Sequence, residues 1–197
     1  MHSVSKFGDA AVLLPASLGL IVFVLAFGSR RAAFAYGAAL ALCIAGAVLA
    51  KFAFAACGDH TLLGVESPSG HAAFATTFYG CLAALFGAGR TPGRRAVLYG
   101  GAAALVLLIA ASRVALDVHT VGDVAIGFAI GAASIALFVA LRRRPERLEL
   151  STQAIVRLSP FAALVALGWL LFAGHWVAEP YIDAAAEGFG ERLHLCP

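Results

Sequence analysis

The sequence predicts an all-α membrane protein, a compact bundle of six transmembrane helices with both termini on the outer side. Three observations lead there. Composition is the first: 61% of the chain is hydrophobic and only 13% is charged, where a soluble domain carries about 25% charged residues. The mean hydropathy of +0.90 agrees. The second is run length: six stretches approach the roughly 20 apolar residues that a membrane-crossing helix needs. The third is arginine, which alternates in density from one connection to the next.

The six stretches are residues 10–27, 32–50 with an extension to 56, 72–89, 96–111, 121–141 and 158–178. Breaker residues fill connections such as "GSRR", "CGDHTLLGVESPSG", "GRTPGRR" and "RRRPERLELSTQ". No strand-like alternation is evident, so helices are expected rather than a β-barrel. The first stretch differs from a cleaved signal peptide. Lys6 is offset by Asp9, and Arg30 and Arg31 follow the apolar run instead of preceding it. An uncleaved span is expected. The chain then reads as a single domain over residues 1–197, of which 179–197 form a short acidic tail outside.

Charge sets the expected orientation. Of the 14 basic residues, ten (Arg30, Arg31, Arg90, Arg94, Arg95, Arg142, Arg143, Arg144, Arg147 and Arg157) follow the first, third and fifth stretches. Those connections are expected in the cytoplasm, and the termini and the other two connections outside. Lys51 and Arg113 then sit at outer helix ends, against the topological preference, and a cation so placed points to function. The alanine- and arginine-rich composition fits a GC-rich bacterium, so the outer side is taken as the periplasm and the membrane as the inner membrane. No basic tract interleaved with aromatics suggests nucleic acid as a partner. Among the four cysteines, no CxxC or Cys/His set has zinc spacing. Cys43 and Cys81 lie in apolar runs as small core residues. Cys57 and Cys196 lie near segment ends and could pair in an oxidising compartment.

Two short stretches carry polar groups at the outer side. "SPSGH", residues 67–71, suggests a helix start with Ser67 as N-cap and Pro68 at the first helical position. Its backbone N–H groups would face outward, where Gly70 admits an anion closely, Ser69 adds a hydroxyl and His71 a titratable group. A plain capped helix with an interfacial histidine accounts for the same residues equally well. "SRVALDVHTVGD", residues 112–123, places His119 and Asp123 at i and i+4 on one helix face. A carboxylate there would fix the imidazole tautomer and leave the other nitrogen as nucleophile or base. Arg113 offers a planar fork for phosphate oxygens, or forms a structural ion pair with Asp117 or Asp123.

Together, Lys51, Ser69, Gly70, His71, Arg113, His119 and Asp123 set anion-binding groups beside two histidines, one with a carboxylate partner. That combination suits phosphoryl transfer. The lack of an acidic cluster argues against a two-metal site, and the lack of a Walker A motif against nucleotide hydrolysis. Other polar positions are expected to be structural: Thr76 and Thr77 bonding their own backbone, Asp117 facing water, and His175 with Trp176 in an interfacial belt.

The chain resembles the type 2 phosphatidic acid phosphatase (PAP2) superfamily, the membrane lipid phosphatases. Pro68-Ser69-Gly70-His71 matches the family's second motif. Ser112-Arg113, five residues, His119, three residues and Asp123 match its third, in the same order and on the same expected face. The six-span layout is also similar. The first motif is a lysine, six residues, then Arg-Pro; Lys51 is present, but Gly58-Asp59 stand in place of the pair. His60 beside them is an ordinary loop residue or, protonated, a substitute.

The resemblance implies that His119 attacks phosphorus to form a phosphohistidine and that Asp123 orients and charges it. His71 would protonate the leaving oxygen and then activate water. Lys51, Ser69, the Gly70 amide and Arg113 would neutralise the phosphoryl oxygens. No metal or cofactor is implied. The implied substrate is a membrane lipid phosphate whose tails stay in the bilayer. Undecaprenyl pyrophosphate is slightly favoured over phosphatidylglycerophosphate, phosphatidic acid and the lipid A 1-phosphate. Two other readings stand: a lipid phosphotransferase using the same site, and, because Arg-Pro is missing, a non-catalytic protein that binds or transports an anionic lipid.

Overall fold

The computed structural model describes residues 5–56, 65 and 67–142, and among these every regular element is helical. A short 3-10 turn, Lys6–Gly8, precedes α1 (Ala10–Phe27), α2 (Arg30–Ala56), α3 (Gly70–Gly87), α4 (Pro92–Ala115) and α5 (Val121–Arg142). Four of them, α1, α2 over Arg30–Phe54, α4 and α5, are long and apolar enough to cross a membrane. The expected sixth stretch at 158–178, the tail, and Cys57, Asp59, His60, His175, Trp176 and Cys196 lie outside the described residues.

Local chemistry explains the boundaries. The Asp9 carboxylate accepts the Ala11 N–H at 2.9 Å and caps α1. The Ser29 hydroxyl accepts the Ala32 N–H at 3.1 Å and starts α2. Past the end of α3, Gly89 takes φ 65°, a left-handed conformation that glycine adopts without a Cβ penalty. Pro92 opens α4 in the first turn, where a missing N–H costs nothing. Helix α4 extends four residues beyond the expected 96–111 at each end. Apolar runs stop at a charge, but the long stems of Arg94, Arg95 and Arg113 let a helix continue into the polar layer.

Helix α3, expected to cross at 72–89, is not among the four membrane-grade helices. Its polar residues His71, Thr76, Thr77 and Tyr79 lower its hydropathy. They are tolerated because α3 packs against all four other helices, most extensively α4 and α5. Nine of its 18 residues are buried. At one end, Phe23, Tyr36, Leu85 and Phe138 centre a core shared by α1, α2, α3 and α5. Nearer the other end, Leu13, Ala75, Val106 and Ile109 join α1, α3 and α4.

Small residues bring α3 and α5 together. A Cβ on Gly127 would lie 2.5 Å from the Ser69 carbonyl oxygen, and one on Gly131 would lie 2.4 Å from the Thr76 Cβ. This Gly-x-x-x-Gly seam lets two backbones approach closely. At the opposite end, arginines satisfy helix C-termini. Arg142 Nη1 donates to the Ala84 carbonyl at 2.9 Å, and Arg31 Nε donates to the Leu141 carbonyl at 3.2 Å.

Candidate active site

The cap of α3 corrects one expectation. Ser69, not Ser67, is the N-cap: its backbone is extended (ψ 105°) and its hydroxyl accepts the Ala72 N–H at 3.4 Å. Ser67 and Pro68 precede the helix. The reason lies on α5, whose Asp123 draws the incoming chain. Asp123 Oδ1 accepts the Ser67 N–H at 2.9 Å, and the Asp123 carbonyl accepts the Ser69 N–H at 3.0 Å.

Asp123 also starts its own helix. Its Oδ2 accepts the Thr120 N–H at 2.8 Å, and the Thr120 hydroxyl accepts the Asp123 N–H at 3.1 Å. This reciprocal pair is a capping box. A carboxylate in the first turn of α5 is further stabilised by the helix dipole. Asp123 is 1% exposed, and both oxygens accept N–H groups, so the buried charge is well solvated by the protein.

His119 lies against this carboxylate, with Nδ1 3.5 Å from Asp123 Oδ2 and its side chain 5% exposed. That distance is long for a hydrogen bond, and it sets a carboxylate oxygen beside one ring nitrogen. On the other side of Asp123, the Lys51 Nζ donates to the Ser67 hydroxyl at 3.3 Å. Lys51 is buried, and its Cε would stand 3.9 Å from a Cβ on Gly70. Lys51, Ser69, Gly70, His119 and Asp123 are therefore linked by direct contacts around the start of α3.

His71 and Arg113 join through a different element, the N-terminal turn. Arg113, in the last turn of α4, donates from Nη1 to the Ser5 hydroxyl at 3.1 Å. His71, half-buried in the first turn of α3, packs on Gly8: a Cβ there would lie 3.4 Å from the His71 Cβ and Cδ2. Between Arg113 and His119 the chain reverses at Asp117, which takes φ 52° and is exposed. Asp117 therefore faces water, as expected, and also supplies the left-handed residue that ends α4.

Thr77 donates to the Ala73 carbonyl at 2.9 Å, as a helical threonine should. Thr76 does not follow that expectation. Its Oγ1 is buried with no hydrogen-bond partner among the described residues, because its Cβ and Cγ2 abut Gly131 on α5. Among the described residues, no three of His, Cys, Asp or Glu converge as a metal-ligand group.

The model of the PAP2 superfamily matches residues 33–147. The chain belongs to the PAP2 superfamily. The matched segment runs from within α2 past the end of α5 and contains both Pro68–His71 and the Ser112–Asp123 pattern. An "uncharacterized 22.5 kDa protein in cps region" of Klebsiella pneumoniae is 32% identical over 159 residues, covering 75% of this chain and 73% of the relative. No solved structure matches the chain.

Several residues of this PAP2 protein's candidate site, Ser5, Thr120, Gly127 and Gly131 among them, escape the sequence reading. Thr120 and Asp123 form a T-x-x-D box, and Gly127 and Gly131 a G-x-x-x-G; both signals are written in the sequence. Ser67 is visible only as a cap, not as the link between Lys51 and Asp123. Ser5 carries no local signal, because its contact with Arg113 is 108 residues away in the chain.

Proposed function

We propose that this protein is an integral membrane phosphatase that hydrolyses a lipid phosphate or pyrophosphate through a phosphohistidine on His119. Membership of the PAP2 superfamily supports a phosphatase-type function, and the four membrane-grade helices support a membrane setting. The observation that carries the finer reading is the join made by Asp123. One carboxylate ties the helix start beside Lys51 to the turn that holds His119.

The chemistry follows from that join. With Nδ1 toward Asp123, His119 Nε2 attacks phosphorus, the P–N bond forms and the bond from phosphorus to the lipid oxygen breaks. His71 gives its proton to the departing oxygen. It then takes one from water, whose oxygen attacks phosphorus and releases His119 and phosphate. Lys51, Ser69, the Gly70 N–H at the start of α3 and Arg113 offset the charge on the phosphoryl oxygens. The lipid tails remain in the bilayer, and undecaprenyl pyrophosphate is the favoured substrate.

The test is phosphate release by purified protein from a panel of lipid phosphates and pyrophosphates, beside His119→Ala. Release by the wild type and its loss in the variant are expected. Equal release by both, or transfer of phosphate to a second lipid in place of release, would overturn hydrolysis through His119.

A further inference from the structure

The N-terminal turn is fastened at three points, two of which involve Arg113 and His71. Ser5, 6% exposed, accepts from Arg113 Nη1 at 3.1 Å. The Phe7 carbonyl accepts from the Tyr79 hydroxyl at 3.1 Å. Gly8 is buried so tightly that a Cβ would lie 2.5 Å from the Ile109 Cγ2 and 3.4 Å from the His71 ring. The turn thus bridges the N-terminal turn of α3 and the C-terminal turn of α4, and touches one proposed catalytic side chain from each. It lies outside both matched motifs and outside the 33–147 segment that the family model matches.

We propose that Ser5 is a positioning residue that holds the Arg113 guanidinium in the plane that receives a phosphoryl group. The inference rests on the phosphatase reading above. A guanidinium binds two phosphate oxygens only when its plane is set. Arg113 stands at the end of a helix, on a flexible stem, and the Ser5 hydroxyl fixes one of its nitrogens. The demand on its orientation is high because this chain lacks the arginine that the family places after its motif lysine, having Gly58-Asp59 there instead.

Inorganic phosphate binding, read by calorimetry on the purified full chain, tests the assignment without turnover. Ser5→Ala should weaken phosphate about 3- to 10-fold, the scale of one hydrogen bond. It should raise KM for the lipid by a similar factor with little change in kcat, as for an interaction made equally in ground and transition states. Ser5→Thr, which keeps the hydroxyl, should stay near the wild type in both readouts. Unchanged phosphate binding and KM in Ser5→Ala would overturn the role. So would a loss of kcat and thermal midpoint at constant KM, the mark of a fold contact only. A wild type that releases no phosphate from any lipid overturns the phosphatase reading instead, and phosphate binding still decides Ser5.

Discussion

Asp123 does two jobs with one carboxylate, and substitution can separate them. Its oxygens accept the Ser67 and Thr120 N–H groups while Oδ2 faces His119. An asparagine of the same size has only one acceptor oxygen, so its NH2 must face a backbone N–H. Asp123→Asn should therefore cost about 1–3 kcal/mol of stability, as well as lowering phosphate release at least about 100-fold through loss of the charge behind His119. An unchanged thermal midpoint would show that the carboxylate serves chemistry alone. Lys51 tests the charge on the other side of the helix start. Lys51→Met should lower phosphate release about 10- to 100-fold, the scale of a charged contact to the phosphoryl group.

At the scale of elements, the site depends on how closely α5 lies on α3. Gly127 faces backbone, not a side chain that could turn aside: its Cβ would meet the Ser69 carbonyl oxygen at 2.5 Å and the Ala73 nitrogen at 3.2 Å. Gly127→Ala must push the helices apart and stretch the bonds from Ser67 and Ser69 to Asp123. Gly100 on α4 has open space within 4 Å of a Cβ. There alanine should be neutral or stabilise by up to about 1 kcal/mol through helix propensity. Phosphate release and thermal midpoint should both fall in Gly127→Ala and neither in Gly100→Ala; equal behaviour would mean the seam is not what holds the site. The helices themselves were legible, because a run of apolar residues is a local pattern. The first span at residues 10–27 and the fifth from Val121 begin where the structure begins them. What could not be read was contact between elements. Ser67 looks like a better N-cap than Ser69 until Asp123 arrives from 56 residues away to take its N–H. Ser5 carries no local signal until Arg113 reaches it from 108 residues away.

At the scale of the whole molecule, the charged side chains described above fall into two groups at opposite ends of the helices. One holds Arg31 and Arg142, which close helix C-termini on α5 and α3. The other holds Lys51, Arg113, His71, His119 and Asp123, with the N-terminal turn against Arg113 and His71. The arginine layer therefore serves the fold as well as topology, since cations at helix C-termini offset the dipole there. The proposed orientation, with the arginine layer in the cytoplasm and the site outside, follows from the positive-inside rule. Two exposed positions test it. Val118 is 49% exposed in the turn before His119, and Thr91 is exposed between α3 and α4. In a background with Cys57 and Cys196 replaced by serine, Cys43 and Cys81 are buried among apolar side chains and should not react. Val118→Cys should then be labelled by a membrane-impermeant thiol reagent applied to cells with a permeabilised outer envelope and an intact inner membrane. Thr91→Cys should be labelled only after the inner membrane is opened. The reverse pattern would put the site on the cytoplasmic face and require a substrate whose phosphate is presented from that side. It would leave family membership untouched, because the contacts that join Lys51, Ser67, Asp123 and His119 do not depend on which way the bundle faces.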